Sequence, residues 1–291
     1  DGTQRRFVMA GRTWIVVDAD PEQSELLVAP VSDQGHAPQW VGELPPTPAE
    51  IAREAGRLRR LFAIDLGLMV EEEVSKIDPA ELLKGSSKLD DYPINGEAKG
   101  MLAEIISTHF SSAQMIPSER LITVEDRSDA LVINSCQGNR INEALGHYLL
   151  AMASTVSGKW GRLIVEPCRI SLQVGDVTPR EIIEWLCETP PEALEGILSV
   201  TLPNSREVRW RFAQIAKIFG ILRHGVDPRK INIQALLKKY RGTPVLEEVL
   251  SKLFHERMDV NGASDVMRAI QSGLIGLEVT AMGPLGISSK S

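Results

Sequence analysis

The stretch that most constrains this chain runs Val132-Ile133-Asn134-Ser135-Cys136-Gln137-Gly138-Asn139-Arg140-Ile141-Asn142-Glu143-Ala144-Leu145-Gly146. An apolar, β-branched run ends in a polar loop that contains a glycine, and a helix pattern opens at Asn139 or Arg140. That order places backbone N–H groups and an arginine at a helix N-terminus, where a phosphate could sit. Physics alone gives a candidate anion site, with Gly138, Asn139 and Arg140 as its parts.

The rest of the chain sorts into three stretches. Residues 1–95 are β-rich, with strands at Phe7-Val8-Met9-Ala10, at Arg12 to Val17 and at Glu25 to Pro30, and a helix at about 47–62. Thr47-Pro48 is read as its start, an N-cap followed by Pro, with Glu50 three after the cap. Residues 64–95 are acidic and broken by Pro79, Gly85 and Pro93, and mark a candidate internal boundary. Residues 96–177 alternate helix and strand: a helix from Glu97, strands at 121–124 and 130–135, a helix at 139–156 and strands across 163–174. Residues 178–291 turn helical, with Thr178-Pro179-Arg180-Glu181 and Thr189-Pro190-Pro191-Glu192 as starts and a last strand at Ile275–Thr280. The fold class expected is α+β with a mainly helical C-terminal subdomain.

Composition excludes several functions. The 43% apolar and 24% charged fractions are those of a soluble globular protein, and no apolar run reaches membrane-spanning length. The start has no Met and no signal-peptide pattern, and reads as an excised fragment. Cys136, Cys168 and Cys187 form no CxxC, so reduced intracellular thiols are expected rather than disulfides or zinc ligands. There is no GxxxxGK[ST], no Asp-Glu dipeptide, no HExxH and no GxSxG. The chain reads as non-catalytic by itself, with no cofactor or metal site of its own.

Charge is segregated. Net charge is −7, yet residues 204–241 hold ten Lys/Arg against two acids, a local +8 that leaves −15 elsewhere. That is the footprint of a nucleic-acid surface or of a solvated basic face. In the helix at 205–219, Val208, Phe212, Ile215 and Phe219 share one face, with Arg206, Arg209, Trp210 and Lys217 roughly opposite. Such cations could hold phosphates while Trp210 offers a stacking surface, or Trp210 could pack on a neighbouring helix. Trp40 lies in a loop bounded by Pro38 and Gly42, a natural platform for an unstacked base or a plug for the end of a barrel. Arg140 is the best phosphate candidate, or else a surface partner of Glu143. Arg53, Arg57 and Arg60 form a stripe on the helix after Thr47, read as a solvated face or a contact for phosphate or an acidic partner. His147 is read as structural.

Taken in order, these strings resemble the large helicase-related (Lhr) family of superfamily 2 DNA helicases, archaeal-type members above all. The resembling region follows the RecA-like and winged-helix domains and is known as the DEAD/H-associated domain. The opening strand pair from Phe7 to Trp14, the loop from Ala37 to Glu43, and Asn134 to Gly146 carry the resemblance. Glu166 to Ile170, Tyr240 to Val245 and the closing Gly283-Pro284-Leu285-Gly286 complete it. The resemblance implies a β-barrel-like module, made by residues 1–95 and completed by 96–177, that encloses the single strand of DNA or of an RNA–DNA duplex tracked by the motor. It also implies ATP-dependent 3′-to-5′ translocation in the cytoplasm, with ATP and Mg on upstream RecA-like domains. Trp40 would stack on a base, and Arg140, Gly138, Asn139, Arg206, Arg209, Trp210 and Lys217 would meet nucleic acid or the neighbouring domains. A structural clamp that orients those domains is the other reading.

Overall fold

A computed structural model describes residues 6–9, 12–20, 25–31, 45–69, 89–159, 161–222 and 232–286. The chain divides by contact into two units, one of residues 1–45 with 203–250, the other of residues 46–202 with 251–291.

In the first unit, β1 (Arg6–Met9), β2 (Arg12–Asp20) and β3 (Glu25–Val31) form an antiparallel sheet. The register of β2 on β3 shifts between Val16 and Asp18, a bulge. The helices α6 (Arg206–Ile218), α7 (Ile233–Lys239) and the start of α8 (Pro244–Arg257) complete this unit. Val208, Phe212 and Ile215 are buried as their spacing predicts. Phe219 departs from the prediction and is 51% exposed. The helix stops before it: Gly220 takes φ +69°, and Ile221 and Leu222 donate their N–H groups back to Ala216 O. Leu222 is buried instead.

The second unit contains α1 (Ala49–Asp65), α2 (Gly96–Ala113), β4 (Leu121–Asp126), β5 (Leu131–Asn134) and α3 (Asn139–Ser157). It continues through β6 (Arg162–Glu166), β7 (Arg169–Gln173), α4 (Pro179–Glu188), α5 (Leu194–Thr201), α9 (Val260–Gln271) and β8 (Gly276–Thr280). The five-stranded sheet has the order β6-β7-β5-β4-β8, antiparallel except that the last strand runs parallel to β4. Among the described residues neither sheet closes on itself, so the fold is α+β with two open sheets.

Helix α3 lies on β6 and β7, with Leu145, Tyr148 and Leu149 buried against Ile170 and Leu172 on the sheet side. Gly146 permits the approach, since a Cβ there would stand 2.8 Å from Leu163 Cδ1 and 3.1 Å from Ile170 Cγ2. Helix α4 begins as read: the Thr178 hydroxyl accepts from Glu181 N, and the Glu181 carboxylate accepts from Thr178 N at 2.8 Å. Helix α1 begins one residue later than Thr47-Pro48 predicts. Its N-cap is Pro48, because the backbone of Thr47 is paired elsewhere: its N–H donates to Asn139 Oδ1 at 2.8 Å and its carbonyl accepts from Asn139 N at 3.1 Å.

The boundary expected at 64–95 lies partly on residues outside the described set. On its two sides, Phe62 of α1 and Ile106 of α2 pack into one cluster with Ala63 and Ile116. The flanks of that stretch therefore share a unit.

Candidate nucleic-acid interface

The loop at the head of α3 is built from inside outward. Gly138 has φ +82°, and a Cβ on it would come within 2.8 Å of the Ala49 backbone. Its N–H donates to Pro167 O at 2.9 Å, and the N–H of Asn139 donates to Thr47 O. Two of the amides at the head of α3, those of Gly138 and Asn139, are thus taken by the fold. Asn142 reinforces the fastening from below, its side-chain N–H2 donating to the carbonyls of Ser135, Glu166 and Pro167 at 2.9–3.1 Å.

Arg140 reaches the C-terminal end of α8. Its Nη2 donates to His255 O at 2.7 Å and to Met258 O at 3.0 Å, and its own carbonyl accepts from Asp259 N. A guanidinium on the last carbonyls of a helix is favoured by the negative end of the helix dipole. The expected Glu143 pairing is replaced: Glu143 Oε2 lies 3.6 Å from His147 Nε2.

The arginines of α1 turn inward, against the expectation of a solvated face. Arg53 Nε donates to Gln137 Oε1 at 2.7 Å, and Arg60 Nε to Glu119 Oε1 at 2.8 Å. Arg57 is buried, 3.7 Å from Glu54. The reason is Gly56: a Cβ there would stand 2.6 Å from Glu119 N and 2.9 Å from Cys136 Cβ. The α1 backbone therefore presses on residues 118–119 and 136, and Arg53 and Arg60 reach buried partners. A glycine amid three arginines was the available sequence signal.

Two features have no local signature in the sequence. Cys136 and Cys168, far apart along the chain, are free thiols whose titrations affect each other. The neighbouring Cys136 thiol lowers the pKa of Cys168, and the Arg59 and Arg169 charges help. The closing segment 283–286 caps a buried polar group. Glu125 accepts from Arg127 Nη2 at 2.7 Å and from Asn134 Nδ2 at 2.8 Å. Arg127 also donates to Gly283 O, Leu285 N donates to His109 Nδ1 at 3.2 Å, and Arg169 donates to Leu285 O. Gly283 and Gly286 pass so close to His109 and Glu125 that a Cβ would overlap them.

The other candidates belong to the first unit. Arg209 and Lys217 are half-buried on α6, with Arg209 Nε donating to Ser205 O at 3.3 Å. Arg206 and Trp210 take places on the same helix, but their side chains lie outside the described set. Lys239 Nζ lies 5.8 Å from the Tyr240 ring centre, and that ring packs on Phe212 with centroids 6.1 Å apart. Trp40 lies outside the described residues. Among the described residues no group of His, Cys, Asp or Glu has the makings of a metal site, and no helix is long and apolar enough to cross a membrane.

The family described as DEAD/H associated matches residues 116–286, and the chain belongs to it. The ATP-dependent helicase Lhr-Core of Sulfolobus acidocaldarius is 21% identical over 97% of this chain, and that of Saccharolobus solfataricus is 25% identical over 97%. The Lhr-Core protein 2 of Thermococcus barophilus is 24% identical over 92%. The chain spans 33%, 33% and 31% of these relatives, about a third of their length. The Mycobacterium smegmatis helicase Lhr, solved with single-stranded DNA and AMP-PNP, shares the fold with a TM-score of 0.61. That match covers 87% of this chain and 32% of the helicase at 16% identity. The resemblance to Lhr-type helicases read from the sequence is borne out.

Proposed function

We propose that this region engages the single strand tracked by an Lhr-type, ATP-dependent 3′-to-5′ DNA helicase. Trp40 stacks on a base, and Arg206, Arg209, Trp210 and Lys217 of α6 contact the backbone or the adjoining motor. ATP and Mg belong to RecA-like domains elsewhere in the protein, which works in the cytoplasm. The observation that carries this reading is the shared fold with a helicase whose structure holds single-stranded DNA. The +8 charge of residues 204–241 agrees with it, since local cations neutralise phosphate even where the chain as a whole is acidic.

The test is an affinity titration of the 291-residue chain with single-stranded DNA at several salt concentrations, beside Trp40→Ala. Affinity should fall with salt, and the variant should bind roughly tenfold more weakly, as expected for one lost stacking partner. A clamp that orients the helicase domains is the second reading, favoured by the internal bonds of Gly138, Asn139 and Arg140. Absence of binding at low salt would establish the clamp.

A further inference from the structure

Within the second unit a cleft of about 430 Å³ opens among the starts of α1, α3 and α9 and residues 119–120. This is the size of a small-ligand site. At its floor are Gln137, fully buried, and Glu119, 3% exposed. Each has one polar atom held and one left over. Arg53 Nε donates to Gln137 Oε1, and a guanidinium has donors only, so the amide orientation is fixed with its N–H2 as the remaining group. Arg60 Nε likewise holds Glu119 Oε1. Gln137 Nε2 and Glu119 Oε2 are buried and have no hydrogen-bond partner among the described residues.

Those two atoms state what fits. Gln137 Nε2 needs an acceptor and Glu119 Oε2 needs a donor. A phosphate offers acceptors alone and would face a carboxylate. A guanidinium or ammonium offers donors alone and would leave the amide unanswered. The lining acids Glu50, Glu119, Asp259 and Asp265 outnumber Arg53 and Arg120, which further disfavours an anion. The remaining wall is mostly apolar, with Ile141, Val266, Leu274 and Ile275 beside the polar Asn261. An uncharged flat ring with donor and acceptor on one edge satisfies both polar atoms and the apolar wall. Nucleobases carry such an edge, and an unstacked base can present it to a pocket.

We propose that this cleft receives an unstacked nucleobase of the single strand, with its hydrogen-bonding edge on Gln137 Nε2 and Glu119 Oε2. The proposal rests on the strand-engaging reading above for the source of the base. It adds a base-reading site within the second unit.

The experiment pairs two measurements on the whole chain. Isoleucine methyl resonances of Ile141 and Ile275 are followed during titration with guanosine, adenosine, cytidine and thymidine, and with N-acetylglycinamide as a peptide probe. Affinity for a single-stranded oligonucleotide is measured in parallel for wild type and Ala269→Phe, which fills the cleft without altering its polar floor. Nucleosides should move both methyls. Ala269→Phe should abolish those shifts and weaken strand binding about tenfold, the scale of one base contact. Strand binding without nucleoside shifts, or undiminished strand binding in the variant, would overturn the cleft and leave the strand-engaging reading standing. Shifts by the peptide probe alone would likewise overturn it. Nucleoside shifts without strand binding would overturn the strand as the source of the base, and with it the proposal as stated. If Ala269→Phe fails to fold, the wild-type nucleoside titration decides.

Discussion

Gly138 stands where the backbone has φ +82° and the space for a Cβ is already filled by Ala49. Gly138→Ala is expected to destabilise the chain by about 2–3 kcal/mol, the cost of a strained backbone plus displaced packing, read from urea unfolding. An unchanged midpoint would refute this account of the loop. Asn142, three carbonyls on one amide, and Gly146, pressed against Leu163 and Ile170, are of the same kind. The residues that made 132–146 legible as a family signature are those that fasten α3 to its neighbours. Their spacing was readable in the sequence, but their partners were not.

At the scale of elements, α3 is tied to the junction between α8 and α9 by Arg140. Replacing it with Ala removes two donors from the carbonyls of His255 and Met258. The expected cost is about 1 kcal/mol, reduced from a buried charged bond because the side chain is exposed. Amide exchange at Asp259 and through the first turn of α9 should quicken in the variant, while the sheet amides of β5 and β7 keep wild-type rates. Equal protection at Asp259 in both proteins would show that Arg140 holds nothing there. Helix periods placed the buried face of α6 well up to Ile215. The end of α6 was misjudged at Phe219, since periodicity does not report where Gly220 stops the helix.

For the whole molecule, residues 283–286 are tied to the buried polar centre. His109 is fully buried and its Nδ1 accepts from Leu285 N, so it is held neutral. Burial lowers its pKa below the ordinary 6.5, with Arg59 and Arg127 adding to this and Glu125 opposing it. The unfolded chain takes up a proton near 6.5 and the folded chain only at lower pH. The stability contribution is therefore complete above 6.5 and is lost as pH falls below it. Unfolding free energy should decline from about pH 6.5 toward 5, more steeply in wild type than in His109→Gln, measured by denaturation across that range. Parallel pH profiles would remove His109 from the account. By itself, the sequence determined the succession of strands and helices, the Thr178 cap, the buried face of α6 up to Ile215 and the family, because periodicity and turn chemistry act over a few residues. Only the tertiary structure decided that β8 runs beside β4, that Cys136 meets Cys168, and that Arg53, Arg60 and Arg140 face protein groups rather than water. A guanidinium on a helix has the same local pattern either way, and its partner, 59 to 118 residues distant, is chosen by packing alone.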